Sequence, residues 1–137
     1  METNEKAVVR RFYEIVGEGR PEDLDEVCAA DLVGHAGAGS DLAGLKESIA
    51  SFMAPFPDLA ADVRYLVQEG DLVSVWLTWT ATHEGEFAGV PASGRQIKVA
   101  GWELIRVHGG KIVEITQYCD LFTIMSQIGA LPTAAPA

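Results

Sequence analysis

Residues 101–120, GWELIRVHGGKIVEITQYCD, constrain the fold more than any other stretch of the chain. Two runs rich in Val, Ile, Trp and Tyr flank Gly109-Gly110, the chemistry of a tight hairpin turn, so they read as neighbouring antiparallel strands. Side chains alternate across a strand. Lys98 and Arg106 share one parity, which assigns Ile97, Val99, Gly101, Glu103, Ile105 and Val107 to the opposite, inward face. On the next strand Glu114 and Thr116 mark the outward parity, leaving Val113, Ile115, Gln117 and Cys119 inside. Each strand therefore carries one polar residue, Glu103 or Gln117, on a face that is otherwise apolar.

The same alternation extends the sheet. Strands are expected at 61–68, 72–83, 95–107 and 111–119, with Val63, Tyr65 and Val67 inward on the first and Trp79 and His83 inward on the second. Helical spacing of Val8, Phe12, Ile15 and Val16 predicts a helix over 4–17, with Tyr13 on its flank. Pro21 followed by Glu22 and Asp23 starts a second helix ending near Asp31. LVGHAGAG, from Leu32, reads as irregular. Ser40 then caps a third helix that buries Leu42, Leu45, Ile49 and Phe52 and stops at Pro55 and Pro57. A last short helix around LFTIMSQIG covers an end of the sheet. Helices first and strands afterwards predict an α+β fold with an antiparallel sheet. One domain over residues 1–131 is expected, with a disordered tail at 132–137.

Composition narrows the function. The formal charge is −10, from 20 acids against 10 scattered bases, which opposes binding to phosphate backbones. No apolar run approaches the roughly 20 residues needed to span a bilayer. The start METNEKAVVRR lacks an apolar signal core, so a cytoplasmic location is the expectation. Cys28 and Cys119 make neither a disulfide framework nor a metal-ligand spacing and are expected to be free, buried thiols.

An inward carboxylate needs an explanation, because a buried charge is paired, hydrogen-bonded or neutralised through a raised pKa. One explanation for Glu103 is an ion pair with Arg10 or Arg11, or a hydrogen bond to Gln117. The other is a pocket in which Glu103 acts as general base or acid and Gln117 orients or polarises a substrate. Tyr13, Phe52, Phe56, Tyr65, Trp79 and Tyr118 are candidate walls for such a pocket, with His83 at its rim. Trp76 and Trp102 have outward parity, which points to a homodimer formed through the outer face of the sheet.

Five segments in order, KAVVRRFYEIV, DLVGHAG, THEGEFAGVPASGRQI, ELIRVHGGKIVE and IGALP, resemble the SnoaL-like polyketide cyclases of the nuclear transport factor 2-like superfamily. That resemblance implies a cone-shaped α+β barrel in which helices wrap a curved sheet around a deep apolar pocket, and a dimer through the outer sheet face. It also implies an intramolecular aldol cyclisation without metal or organic cofactor, driven by an acid/base Asp and a nearby His. Ungapped matching of the hairpin puts Gln117 at the Asp position and Glu103 at the His position. A primary amide takes up no proton near neutral pH, so the founding mechanism does not carry over unchanged. His35 and Asp120 are the remaining matches to the family pattern. For each a plain alternative stands: His35 as a loop histidine satisfied by backbone groups, and Asp120 as a helix N-cap.

Three functions follow as expectations. The first is a cyclase or isomerase acting on a hydrophobic, polyketide-like molecule, with Glu103 moving a proton and His35 or Gln117 assisting, or with the pocket chiefly folding a reactive chain. The second is epoxide opening by the pair Glu103 and Asp120. The third is a non-catalytic dimer that binds a small molecule in the same cone.

Overall fold

The structure, a computed structural model, describes residues 1–131; the tail expected at 132–137 lies outside them. The order of elements is α1 (Asn4–Gly17), a 3-10 turn (Pro21–Glu26), β1 (Cys28–Ala36), α2 (Leu42–Met53), β2 (Ala60–Glu69), β3 (Leu72–Thr82), β4 (Gln96–His108), β5 (Lys111–Cys119) and α3 (Leu121–Gln127). The strands form one sheet in the order β1-β5-β4-β3-β2. The fold is α+β, and α1 packs against β2, β3, β4 and β5 on the inner face.

Several expectations are corrected by the structure. The sheet is mixed and not wholly antiparallel, because β1 runs parallel to β5. This strand occupies the segment read as the end of a helix and an irregular loop. Its signal is weak for a physical reason: the register shifts between Cys28 and Val33, and one inward position is Gly34, so no apolar alternation survives. The second helix shrinks accordingly to the 3-10 turn. The third is capped by Asp41, whose carboxylate accepts from the Gly44 N–H at 2.8 Å, and not by Ser40.

Bulges decide which way two strands face. Val63 pairs with Leu77 but Tyr65 pairs with Trp76, leaving Arg64 as the extra residue. Val63 stays inside, as expected, while Tyr65 and Val67 turn outward, 67% and 65% exposed, and Leu66 takes the inner position. On β5, Ile112 pairs with Val107 and Glu114 with Arg106, so Val113 is the bulged residue and Ile112 is the one buried. From Ile115 onward the expected parity holds.

The buried side chains fall into two groups. One packs α1 against the sheet through Phe12, Ile15, Val16, Val75, Leu77 and Ile105. The other gathers Phe56, Leu59, Ile97, Val99, Ile124 and Ile128 beneath α3. Trp79 packs against both. Among the described residues no helix is long and apolar enough to cross a membrane.

Candidate active site

Strand register builds the site. Gly109 and Gly110 turn the β4–β5 hairpin with φ of 59° and 77°, a left-handed pair that glycine adopts without strain. Together with the bulge at Val113, this turn sets Glu103 directly opposite Gln117. Both face inward. The loop after β1 fastens the far side, since the Gly37 N–H donates to the Gln117 carbonyl at 2.9 Å. A Cβ at Gly37 would stand 3.2 Å from that carbonyl, so the chain passes close there.

Glu103 is 2% exposed. Neither arginine reaches it: Arg10 pairs with Glu2 at 2.8 Å and Arg11 with Glu26 at 2.5 Å, both at the surface. Its partners are neutral. The Tyr13 hydroxyl donates to Glu103 Oε1, and Gln117 stands opposite the same carboxyl on the neighbouring strand. Burial pushes the Glu103 pKa up to about 7, opposed by the Tyr13 bond and by the nearby Gln117 amide, which favour the ionised form. The Tyr13 phenol is held well above its ordinary value, first by burial and then by the adjacent Glu103 charge. Tyr13 therefore remains a donor at neutral pH while Glu103 changes charge there.

Beside this carboxyl lies a cavity of about 130 Å³, at the seam between the two packed groups. Glu103 and Gln117 line one part of it. The remaining wall is mainly apolar, with Phe12 and Val16 from α1, Ile49 and Phe52 from α2, Leu59 ahead of β2, Trp79 from β3 and Val99 from β4. Ser48, Gly37 and Cys119 also border it. Cys119 is exposed, contrary to expectation, whereas Cys28 is buried.

The other candidates separate by location. Phe52 and Trp79 are cavity walls, and Phe56 stands behind Phe52, their rings stacked at 5.1 Å. Tyr13 lies behind Glu103 and acts through it, a contact between α1 and β4 that strand parity does not reveal. Tyr65 is displaced to the outer face by the Arg64 bulge. Tyr118 borders the cavity, but it is 60% exposed and its ring stacks on Trp102 across the outer face, as the residue after an inward Gln117 must. His35 also points outward from β1, with Nε2 2.9 Å from Glu114 Oε2. Asp120 caps α3, accepting from the Thr123 N–H at 3.1 Å and its hydroxyl at 2.6 Å, and that capping holds its pKa below the ordinary carboxylate value. Neither His35 nor Asp120 lines the cavity.

His83 is fully buried rather than at a rim. The Ser93 N–H donates to its Nδ1 at 3.2 Å, and the Ser93 hydroxyl lies 2.8 Å from the same atom. That arrangement leaves the ring proton on Nε2, which has no partner among the described residues. The ring packs beside Phe56.

Phe12, Val16, Ile49 and Val99 were legible as apolar positions, but nothing in their spacing distinguishes a cavity wall from solid core; Leu59, between α2 and β2, lay outside every predicted element. Among the described residues no group of three or more His, Cys, Asp or Glu is placed to hold a metal ion.

Similarity to known proteins agrees with this architecture. IdmH from Streptomyces antibioticus, a candidate polyketide cyclase, superposes with a TM-score of 0.83 at 31% identity, covering 93% of this chain and 99% of its own. AclR from Streptomyces galilaeus, a candidate hydroxylase, superposes with a TM-score of 0.84 at 26% identity, covering 93% and 97%. TsrD from Streptomyces laurentii shares the fold, with a TM-score of 0.83 at 24% identity over 96% and 99%. No curated protein matches the chain at a significant level. The family model for the SnoaL-like polyketide cyclases matches residues 6–128, and the chain belongs to that family.

Proposed function

We propose that this protein is a proton-transferring cyclase or isomerase that takes a hydrophobic, polyketide-like substrate into the cavity. The observation that carries this reading is the carboxyl of Glu103, buried at the edge of an apolar cavity with a pKa near 7. A general base or acid works best when its pKa lies near the operating pH, and burial supplies that match here. Glu103 removes a proton from carbon next to a carbonyl and returns it elsewhere on the chain or ring. Gln117 orients the carboxyl and Tyr13 steadies it from behind.

Asp120, engaged as a cap, is unavailable as the second carboxylate that epoxide opening would need, so the proton-transfer reading is preferred. The outer face supports a homodimer. Tyr65, Trp76, Trp102 and Tyr118 occupy successive paired positions across β2, β3, β4 and β5, a row of exposed aromatic rings that a second copy of the chain would cover.

A bicyclic ketone such as 2-tetralone tests the chemistry without the natural substrate. The wild type should accelerate deuterium exchange at its α-carbon in D2O, followed by NMR, and Glu103→Gln should lose on the order of 10² or more of that rate. Equal exchange by the two proteins would instead favour the non-catalytic binding reading.

A further inference from the structure

The indole of Trp79 occupies space that any side chain at position 101 would need. An ideal Cβ on Gly101 would stand 2.6 Å from Trp79 Nε1 and 2.9 Å from its Cδ1. The polar edge of the ring therefore lies over the bare backbone of β4, at the inward position of residue 101. The next inward position on that strand is Glu103. Two residues of strand separate them, about 7 Å along the chain. Both Trp79 and Glu103 line the cavity. Trp102, by contrast, already commits its indole N–H to the Ser74 hydroxyl at 2.9 Å on the outer face. Among the described residues Trp79 Nε1 has no such protein acceptor, nor is it one of the buried polar atoms left without a partner.

We propose that the Trp79 indole N–H is the donor that holds the substrate's carbonyl oxygen while Glu103 works on the adjacent carbon, and that Gly101 determines specificity by leaving room for that ring edge. This rests on the proton-transfer reading above and names its substrate class: an enolisable ketone whose oxygen gains charge as the α-proton leaves. When Glu103 takes that proton, the C–H electron pair becomes the enolate π-bond and the charge collects on oxygen. A donor fixed in advance at that oxygen, away from water, stabilises the charge as it forms. Side chains of any size at position 101 would push the indole edge aside, which explains a glycine in the middle of a strand otherwise suited to larger residues.

The test compares 2-naphthol, which carries an enol-like oxygen, with naphthalene, which has the same shape and none. Trp79→Phe should weaken 2-naphthol binding about tenfold relative to naphthalene, and Gly101→Ala should do the same by displacing the ring. In the wild type, the Trp79 indole N–H resonance should move downfield on adding 2-naphthol and stay in place with naphthalene, a measurement that does not depend on either variant folding. Equal weakening of both probes, or an indole resonance indifferent to the oxygen, overturns the assignment. The two readings fail separately: a deuterium-exchange rate indifferent to Glu103→Gln removes the proton-transfer reading while leaving an oxygen-specific Trp79 contact standing, and loss of the naphthol preference alone removes only the Trp79 role.

Discussion

The hydroxyl of Tyr13, on the first helix, donates to the carboxyl of Glu103, on the fourth strand, and both groups are buried. This bond favours the ionised carboxylate and opposes the effect of burial. Tyr13→Phe should therefore raise the Glu103 pKa above its present value near 7. Where the carboxylate acts as base, the rising limb of the pH–rate profile for 2-tetralone exchange moves to higher pH. A limb that stays in place would separate Tyr13 from the titration of Glu103.

The same carboxyl makes stability depend on pH. Its folded pKa of about 7 lies above the ordinary 4.5. The stability linked to it is fully present below pH 4.5 and is lost as pH rises through 7, since the unfolded chain ionises freely while the fold must hold a buried charge. The full loss is up to about 3 kcal/mol. Glu103→Gln abolishes this titration. Wild-type minus variant unfolding free energy, measured by urea titration, should fall between pH 4.5 and 7 and level off above it. A flat difference across that window would contradict a raised pKa.

Asp120 holds the start of α3, and its loss acts on the helix and not on the cavity. Asp120→Ala should cost about 1 kcal/mol of stability. The exchange rate with 2-tetralone should remain within about twofold of wild type, as expected for a removed N-cap outside the reacting groups. A loss comparable to that of Glu103→Gln would restore a catalytic role to Asp120.

The aromatic row on the outer face predicts an oligomeric state. Light scattering during gel filtration should find the wild type dimeric and Trp102→Glu monomeric at the same concentration, because a charge at the middle of the row would be buried without a partner. A monomeric wild type would refute the dimer.

Much of this site was readable in the hairpin. Alternation along 95–107 and 111–119, with a Gly-Gly turn between them, was enough to turn Glu103 and Gln117 to the same side. Yet the pairing also needs the bulge at Val113. Without it, an inward Ile112 would have left Gln117 facing water, and the correct parity from Ile115 onward came from the charges on the strand and not from the turn. Tyr65 shows the opposite outcome, where a bulge at Arg64 inverted a parity that alternation alone had set inward. His35 was misplaced for another reason. The strand that carries it pairs with β5 from the far end of the sequence, and Gly34 erases the apolar pattern that would have announced it.

Alternating polarity and turn chemistry, which act between near neighbours in the chain, determined from sequence alone the α+β class, the β4–β5 hairpin and the inward aim of its two polar residues. Only tertiary structure decided that Tyr13 and not an arginine meets Glu103, that Trp79 lies over Gly101, and that a hollow remains between the two packed groups. Those depend on how distant segments fill space together, and packing volume has no periodic signature in a single sequence.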